Sequence, residues 1–157
     1  MRKILFPVLI LLFAFGCTDQ NSSAAIDKKI SAVLHGSDSD MMKLDKIASL
    51  DFDLARAYIR EKRPDDAIEI LQKLIRDNRH RKNFYGEPMG MVSAFYGMEV
   101  LYYEALADAY TQKNDKESAE KATKKSKAAA VLETKLGAAE EKQEQAEKAR
   151  EKAAILN

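Results

Sequence analysis

Few side chains in this 157-residue chain are placed to do covalent chemistry. Cys17 is the only cysteine, so it has no partner for an internal disulfide and stands as a lone thiol. His35 and His80 are the only histidines. They fall on different segments, with no carboxylate or thiol at ligand spacing, so no metal site is expected. Asp38/Asp40 and Asp65/Asp66 are close-set carboxylate pairs of the kind that serve acid–base catalysis. Each pair sits where a helix is expected to start, and capping of free backbone N–H groups accounts for it. A glycine-rich phosphate loop, a nucleophile elbow and a Cys–His arrangement are all missing from the sequence. These residues point to a binding protein rather than an enzyme, with no catalytic residues and no cofactor.

The surroundings of Cys17 give its chemistry a direction. Arg2 and Lys3 form a positive start, and Ile4 to Phe15 is an apolar run of 12 residues. A membrane-spanning helix needs about 20 residues, so this run is expected to be an export signal rather than a span. Ala14-Phe15-Gly16-Cys17 then resembles the lipobox of bacterial lipoproteins, with Ala14 where that family usually has Leu. The resemblance implies cleavage after residue 16, diacylglycerol on the Cys17 sulfur and a membrane-anchored protein facing the periplasm. Thr18 after the cysteine, in place of Asp, points to the outer rather than the inner membrane. Residues 17–24 are polar and read as a flexible tether.

Composition sets the rest of the frame. Apolar residues are 46% and charged residues 32% of the chain, with only 6 Gly and 3 Pro, which favours helices over sheets. Taking Arg2 and Lys3 from the 26 basic residues leaves 24 against 25 acidic ones, a net charge of −1. That balance gives no reason to expect nucleic acid as a partner.

Helical periodicity begins at about Ala25. Ile26, Ile30, Val33 and Leu34 share a face, and Gly36 is expected to cap that short helix. Ser37 to Asp40 starts a helix running to about Arg63, and Pro64-Asp65-Asp66 starts the next. The pattern breaks from Asn78 to Pro88, where Arg79 to Tyr85 mixes basic and aromatic residues. This segment is expected to be an exposed connection with its aromatics tucked into the core; contact with anionic headgroups or an acidic partner is the other reading. A helix is expected from about Met89 to Lys113 and another from about Lys116 to Leu136, where Gly137 either caps or only weakens it. Residues 137–157 form a charged C-terminal helix. Its heptad seam, through Ala139 and Ala146, is too small and polar for a coiled coil, so a solvated capping helix is expected.

An internal repeat organises these helices. Leu54-Ala55-Arg56-Ala57-Tyr58 recurs as Leu106-Ala107-Asp108-Ala109-Tyr110, an offset of 52 residues, and an alanine follows each tyrosine by nine residues (Ala67, Ala119). Each copy reads as helix, tight turn and helix, with small residues allowing close helix approach.

These copies, at about 48–81 and 100–133, resemble the tetratricopeptide repeat over about 68 residues. Tyr103, Leu106, Ala107, Tyr110 and Ala119 match in the second copy, and Leu54, Ala55, Tyr58, Ala67, Leu71 and Leu74 in the first. Asp51 stands in the aromatic slot of the first copy, Thr123 replaces a large apolar residue of the second, and Arg79 and Val131 replace the closing proline. The resemblance implies an all-α helical-hairpin solenoid of about five to six helices, with the repeat domain over 25–136.

It also implies a groove lined by the first helix of each copy: Phe52, Arg56, Ile59, Arg60 and Arg63, then Glu104, Asp108, Thr111 and Gln112. The groove is expected to be basic at one end and acidic at the other, which orients an extended partner. The subfamily that clamps a C-terminal carboxylate has Asn where Arg56 and Asp108 stand, so that activity is not implied. The expected partners are envelope proteins or their peptide segments, and the membrane through the lipid. The alternative is a self-assembling structural or transport-accessory subunit that uses the same surface to form a homo-oligomer.

Overall fold

A computed structural model describes residues 20–86 and 91–155 of the chain. Among these residues the protein is all helical, with five α-helices and no strand: α1 Ser23–Leu34, α2 Asp40–Arg60, α3 Pro64–Arg81, α4 Val92–Gln112 and α5 Lys116–Ile155. The expected export signal and Cys17 lie outside the described residues.

Local chemistry sets most of the helix ends. Ser22 is the N-cap of α1, where its Oγ accepts from the Ala25 N–H at 3.4 Å. The helix thus starts at Ser23, two residues inside the expected tether. Gly36 lacks the left-handed backbone of a glycine cap; His35, in the right-handed region, closes α1 by donating from its N–H to the Ser31 carbonyl. Pro64 is the first residue of α3, where its missing N–H costs nothing, and Asp65 and Asp66 fill the first turn.

Two further expectations need correction. The break foreseen at Asn78 comes later, because α3 runs to Arg81 and passes into a π-helical turn over Lys82–Gly86. Asn78 is buried, and its Nδ2 donates to the Phe95 carbonyl at 2.8 Å, so it ties α3 to α4 rather than ending a helix. At the C-terminus one helix of 40 residues passes through Gly137 without a break. A Cβ at Gly137 would meet only Ser93 Cβ, at 3.8 Å, so the glycine neither caps the helix nor answers a crowded contact.

Each helix packs on its neighbour in the chain, and α2 also touches α4. The main core joins Ala55 of α2, Leu71, Leu74 and Ile75 of α3, Tyr102, Tyr103 and Leu106 of α4, and Ala122 of α5. A smaller core holds α1 to α2 through Ile26, Leu54 and Ala57, with Tyr58 against its edge. Alanines fill the tightest positions: Ala55, Ala67 and Ala109 are completely buried, which lets helix backbones approach closely. From Glu141 to Lys152 every described side chain of α5 is exposed, so the last turns run beyond the body of the protein.

Two serine–glutamate contacts join the start of one helix to another helix. Glu61 accepts from the Ser23 N–H and hydroxyl, both at 2.8 Å, and so caps α1 from the end of α2. Glu140 does the same for α4, accepting from the Ser93 N–H at 3.1 Å and from the Ser93 hydroxyl. Met91, the N-cap of α4, offers no side-chain acceptor, so the carboxylate comes from α5 instead.

Candidate functional site

The two copies of the sequence repeat fold into matching turns. Two positions past the last helical residue of α2 and of α4 stands a residue with positive φ, Lys62 and Asn114, both at 60°. The hydrogen bonds repeat at the same offset of 52. Arg63 N–H donates to the Tyr58 carbonyl at 2.9 Å and Asp115 N–H to the Tyr110 carbonyl at 3.0 Å. Ala67 N–H donates to the Arg63 carbonyl at 3.3 Å and Ala119 N–H to the Asp115 carbonyl at 3.1 Å. Beyond these turns α3 packs back on α2 and α5 on α4, and α2 touches α4. Phe52 meets Tyr102 edge to face, with ring centroids 5.3 Å apart.

Between α2 and α4 lies an open groove of about 420 Å³. Phe52, Arg56, Ile59 and Arg60 form its α2 wall, and Leu101, Glu104, Ala105 and Asp108 its α4 wall. Six of the nine residues expected in the groove are therefore brought together: Phe52, Arg56, Ile59, Arg60, Glu104 and Asp108. The charges divide by helix, basic from α2 and acidic from α4, around an apolar strip of Phe52, Ile59, Leu101 and Ala105.

The other three do not line it. Arg63 lies past the last turn of α2, where its Nε donates to Asp66 at 2.8 Å and its guanidinium stacks 4.2 Å from the Tyr58 ring centroid. Thr111 donates to the Ala107 carbonyl and faces the terminal side of the protein with Ala119 and Thr123. Gln112 is a fastener, its Nε2 donating to the Ile59 carbonyl at 3.0 Å across the α2–α4 contact. Leu101 and Ala105 were missed. They share the helical face of Glu104 and Asp108, so the three- and four-residue spacing along α4 carried the signal.

The charged rim is unequally engaged. Arg60 donates to the Asn21 carbonyl at 2.8 Å, which pins the segment before α1 to the groove edge. Arg56 sits 5.9 Å from the Phe52 ring centroid and, like Glu104 and Asp108, forms no ion pair among the described residues. Beside the groove, hydrogen bonds from the Ser23 backbone and then its hydroxyl hold the Glu61 carboxyl below its usual range. Burial pushes the Tyr102 hydroxyl up, so the ring that meets Phe52 stays neutral.

The basic–aromatic segment after Asn78 is held by ion pairs of its basic residues. Arg79 and Lys82 reach buried Glu99 at 3.6 and 3.3 Å, Arg81 pairs with Asp45, and Lys82 lies 3.9 Å from the Tyr96 ring centroid. Phe84, expected in the core, is 75% exposed.

Among the described residues no cluster of His, Cys, Asp or Glu could hold a metal ion. No described helix is long and apolar enough to cross a membrane. Searches against protein-family models, curated proteins and solved structures find no match to this chain.

Proposed function

We propose that this chain is a lipid-anchored, tetratricopeptide-like adaptor of the bacterial cell envelope, holding a partner protein in the groove between α2 and α4. The observation that carries this reading is the groove itself. Two arms of unlike charge, Arg56 and Glu104/Asp108, flank an apolar strip on helices that the repeated turn places side by side. An extended segment with an apolar centre and charges of opposite sign along its length would bury the strip and be oriented by the arms. The lipobox-like sequence supplies the anchor, and the residues between Cys17 and α1 the tether, whose end is drawn to the body through Arg60 and the Asn21 carbonyl.

The test uses a photo-crosslinking residue at Leu101 in cells, with Thr123 on the terminal face as the comparison site. The expected result is a protein partner captured from position 101, absent from position 123 and lost when Arg56→Glu is added. Equal capture from both sites would reject the groove. Labelled palmitate incorporated into the wild type but not into Cys17→Ala tests the anchor separately.

Self-assembly by end-to-end stacking is the weaker reading, because one end is covered and the other is polar. α1 covers one end with Ile26 and Ile30, and the other presents Glu120, Thr123, Lys124 and Lys127.

A further inference from the structure

On the side away from the α2–α4 groove, α3 and α5 stand apart and leave α4 as the floor between them, forming a second open groove of about 320 Å³. α3 contributes Arg76 and Arg79, one turn apart, and α5 contributes Lys121 and Lys125, also one turn apart. No carboxylate lines it. In a chain with 26 basic and 25 acidic residues, four cations gathered around one depression, of which only Arg79 has a carboxylate partner, is a segregation that needs an account.

The floor adds donors. Tyr103 Oη accepts from Arg79 at 2.6 Å and Tyr110 Oη from Gln72 Nε2 at 3.1 Å. Each hydroxyl has thus taken a hydrogen bond and keeps its own proton to give. Burial pushes the Tyr103 hydroxyl up, so that proton is present at neutral pH. Arg79 is partly occupied by Glu99 at 3.6 Å, and Lys125 lies 5.4 Å from the Tyr103 ring centroid. Arg76 and Lys121 form no ion pair among the described residues.

We propose that this groove binds a phosphate monoester, its anionic oxygens taken by Arg76, Lys121, Lys125 and the two tyrosine hydroxyls. A phosphate monoester brings three acceptor oxygens and nearly two negative charges, whereas a carboxylate brings two oxygens and one charge. Ile75, Leu106 and Ala122 in the same lining give the ester's carbon portion an apolar surface. The volume fits a small phosphorylated molecule or the headgroup of a phosphate-terminated lipid, and both carry the same chemistry.

The test titrates the full chain in non-ionic detergent with glycerol 3-phosphate, and separately with mixed micelles containing phosphatidic acid. Glycerol and phosphatidylglycerol micelles are the controls. Saturable binding of at least one phosphate monoester is expected, weakened tenfold or more in the Lys121→Gln, Lys125→Gln double variant. The Lys127→Gln, Lys135→Gln variant removes the same charge from exposed positions of α5 outside this groove and is expected to change affinity less than twofold. Binding is also expected to fall as pH drops through about 6, where the phosphate takes up its second proton. Binding of glycerol 3-phosphate marks a free ligand as sufficient, and binding of phosphatidic acid alone marks a lipid headgroup. Failure of both probes to bind saturably overturns the proposal. So does equal weakening in the two double variants, which would mean diffuse attraction, and so does an oligoglutamate peptide that displaces the bound phosphate more strongly than glycerol 3-phosphate does.

Discussion

The hairpins α2–α3 and α4–α5 share one turn and differ in what their second helices face. Leu71 and Ile75 of α3 are 0% and 6% exposed because α4 lies on them. The residues 52 positions later, Thr123 and Lys127, sit on α5 with no further helix above them and are exposed. Ile68 and Glu120 divide the same way, half-buried against exposed. The turn is written in a few local residues and is copied with little change. Whether another helix stacks is written on the outward face of the second helix, and there the copies diverge. A polar outward face on α5 leaves the hairpin turn itself unaltered.

The sharpest way to break this comparison is to truncate both members of one pair. Leu71→Ala empties a fully buried site and is expected to lower stability by about 2–5 kcal/mol. Thr123→Ala, at the equivalent exposed site, is expected to change it by about 0.5 kcal/mol or less. Urea denaturation of the two variants measures both, and similar losses would mean that the copies are not distinguished by stacking. The converse change, Thr123→Leu with Lys127→Ile, restores the apolar face of the first copy where nothing covers it. Concentration-dependent association is expected in that variant, detectable by sedimentation, with the wild type unchanged.

Much of this architecture was legible in the sequence because it is local. The repeated Leu-Ala-x-Ala-Tyr, the helix starts at Pro64 and Lys116 and the polar substitution at Thr123 all act within one hairpin. Six groove residues followed from the repeat register. The misses are contacts at long range. Nothing near Ser93 announces Glu140, 47 residues away, as its cap. Asn78 reads as a helix stop until its carbonyl partner on α4 is known, because a buried amide bond overrides a weak preference. Arg63 and Thr111 were assigned by repeat position, yet Arg63 stacks on Tyr58 and Thr111 lies with Ala119 and Thr123 of α5.

The two serine–glutamate caps give a second comparison, with a smaller effect. Glu61→Gln and Glu140→Gln each keep shape but lose the charge at a helix start, and each is expected to cost about 1 kcal/mol at neutral pH. The Glu61 carboxyl is held below its ordinary value of 4.5 in the folded protein. Its contribution is therefore full above that value and is lost as pH falls through the lower, folded value. The stability gap between wild type and Glu61→Gln should close on acidification, as measured by urea denaturation at neutral pH and near pH 3. A gap that stays constant would show that the loss does not come from the Glu61 charge.

The smallest effect concerns the length of the second helices, 18 residues in α3 and 40 in α5. Gly137 lies inside α5 with ordinary helical backbone, and an added Cβ would make a van der Waals contact with Ser93 at 3.8 Å. Glycine at such a site loses more backbone freedom on folding than alanine does. Gly137→Ala is expected to stabilise the protein by about 0.5–1 kcal/mol, and Ser93 should keep its bond to Glu140. Thermal unfolding followed by circular dichroism reads the gain, and amide exchange at residues 138–155 locates it. A gain with slower exchange beyond residue 140 would mean that the extension melts with the body. Faster exchange there, or a loss of stability, would show that the helix needs its glycine and that α5 is two helices joined at that point.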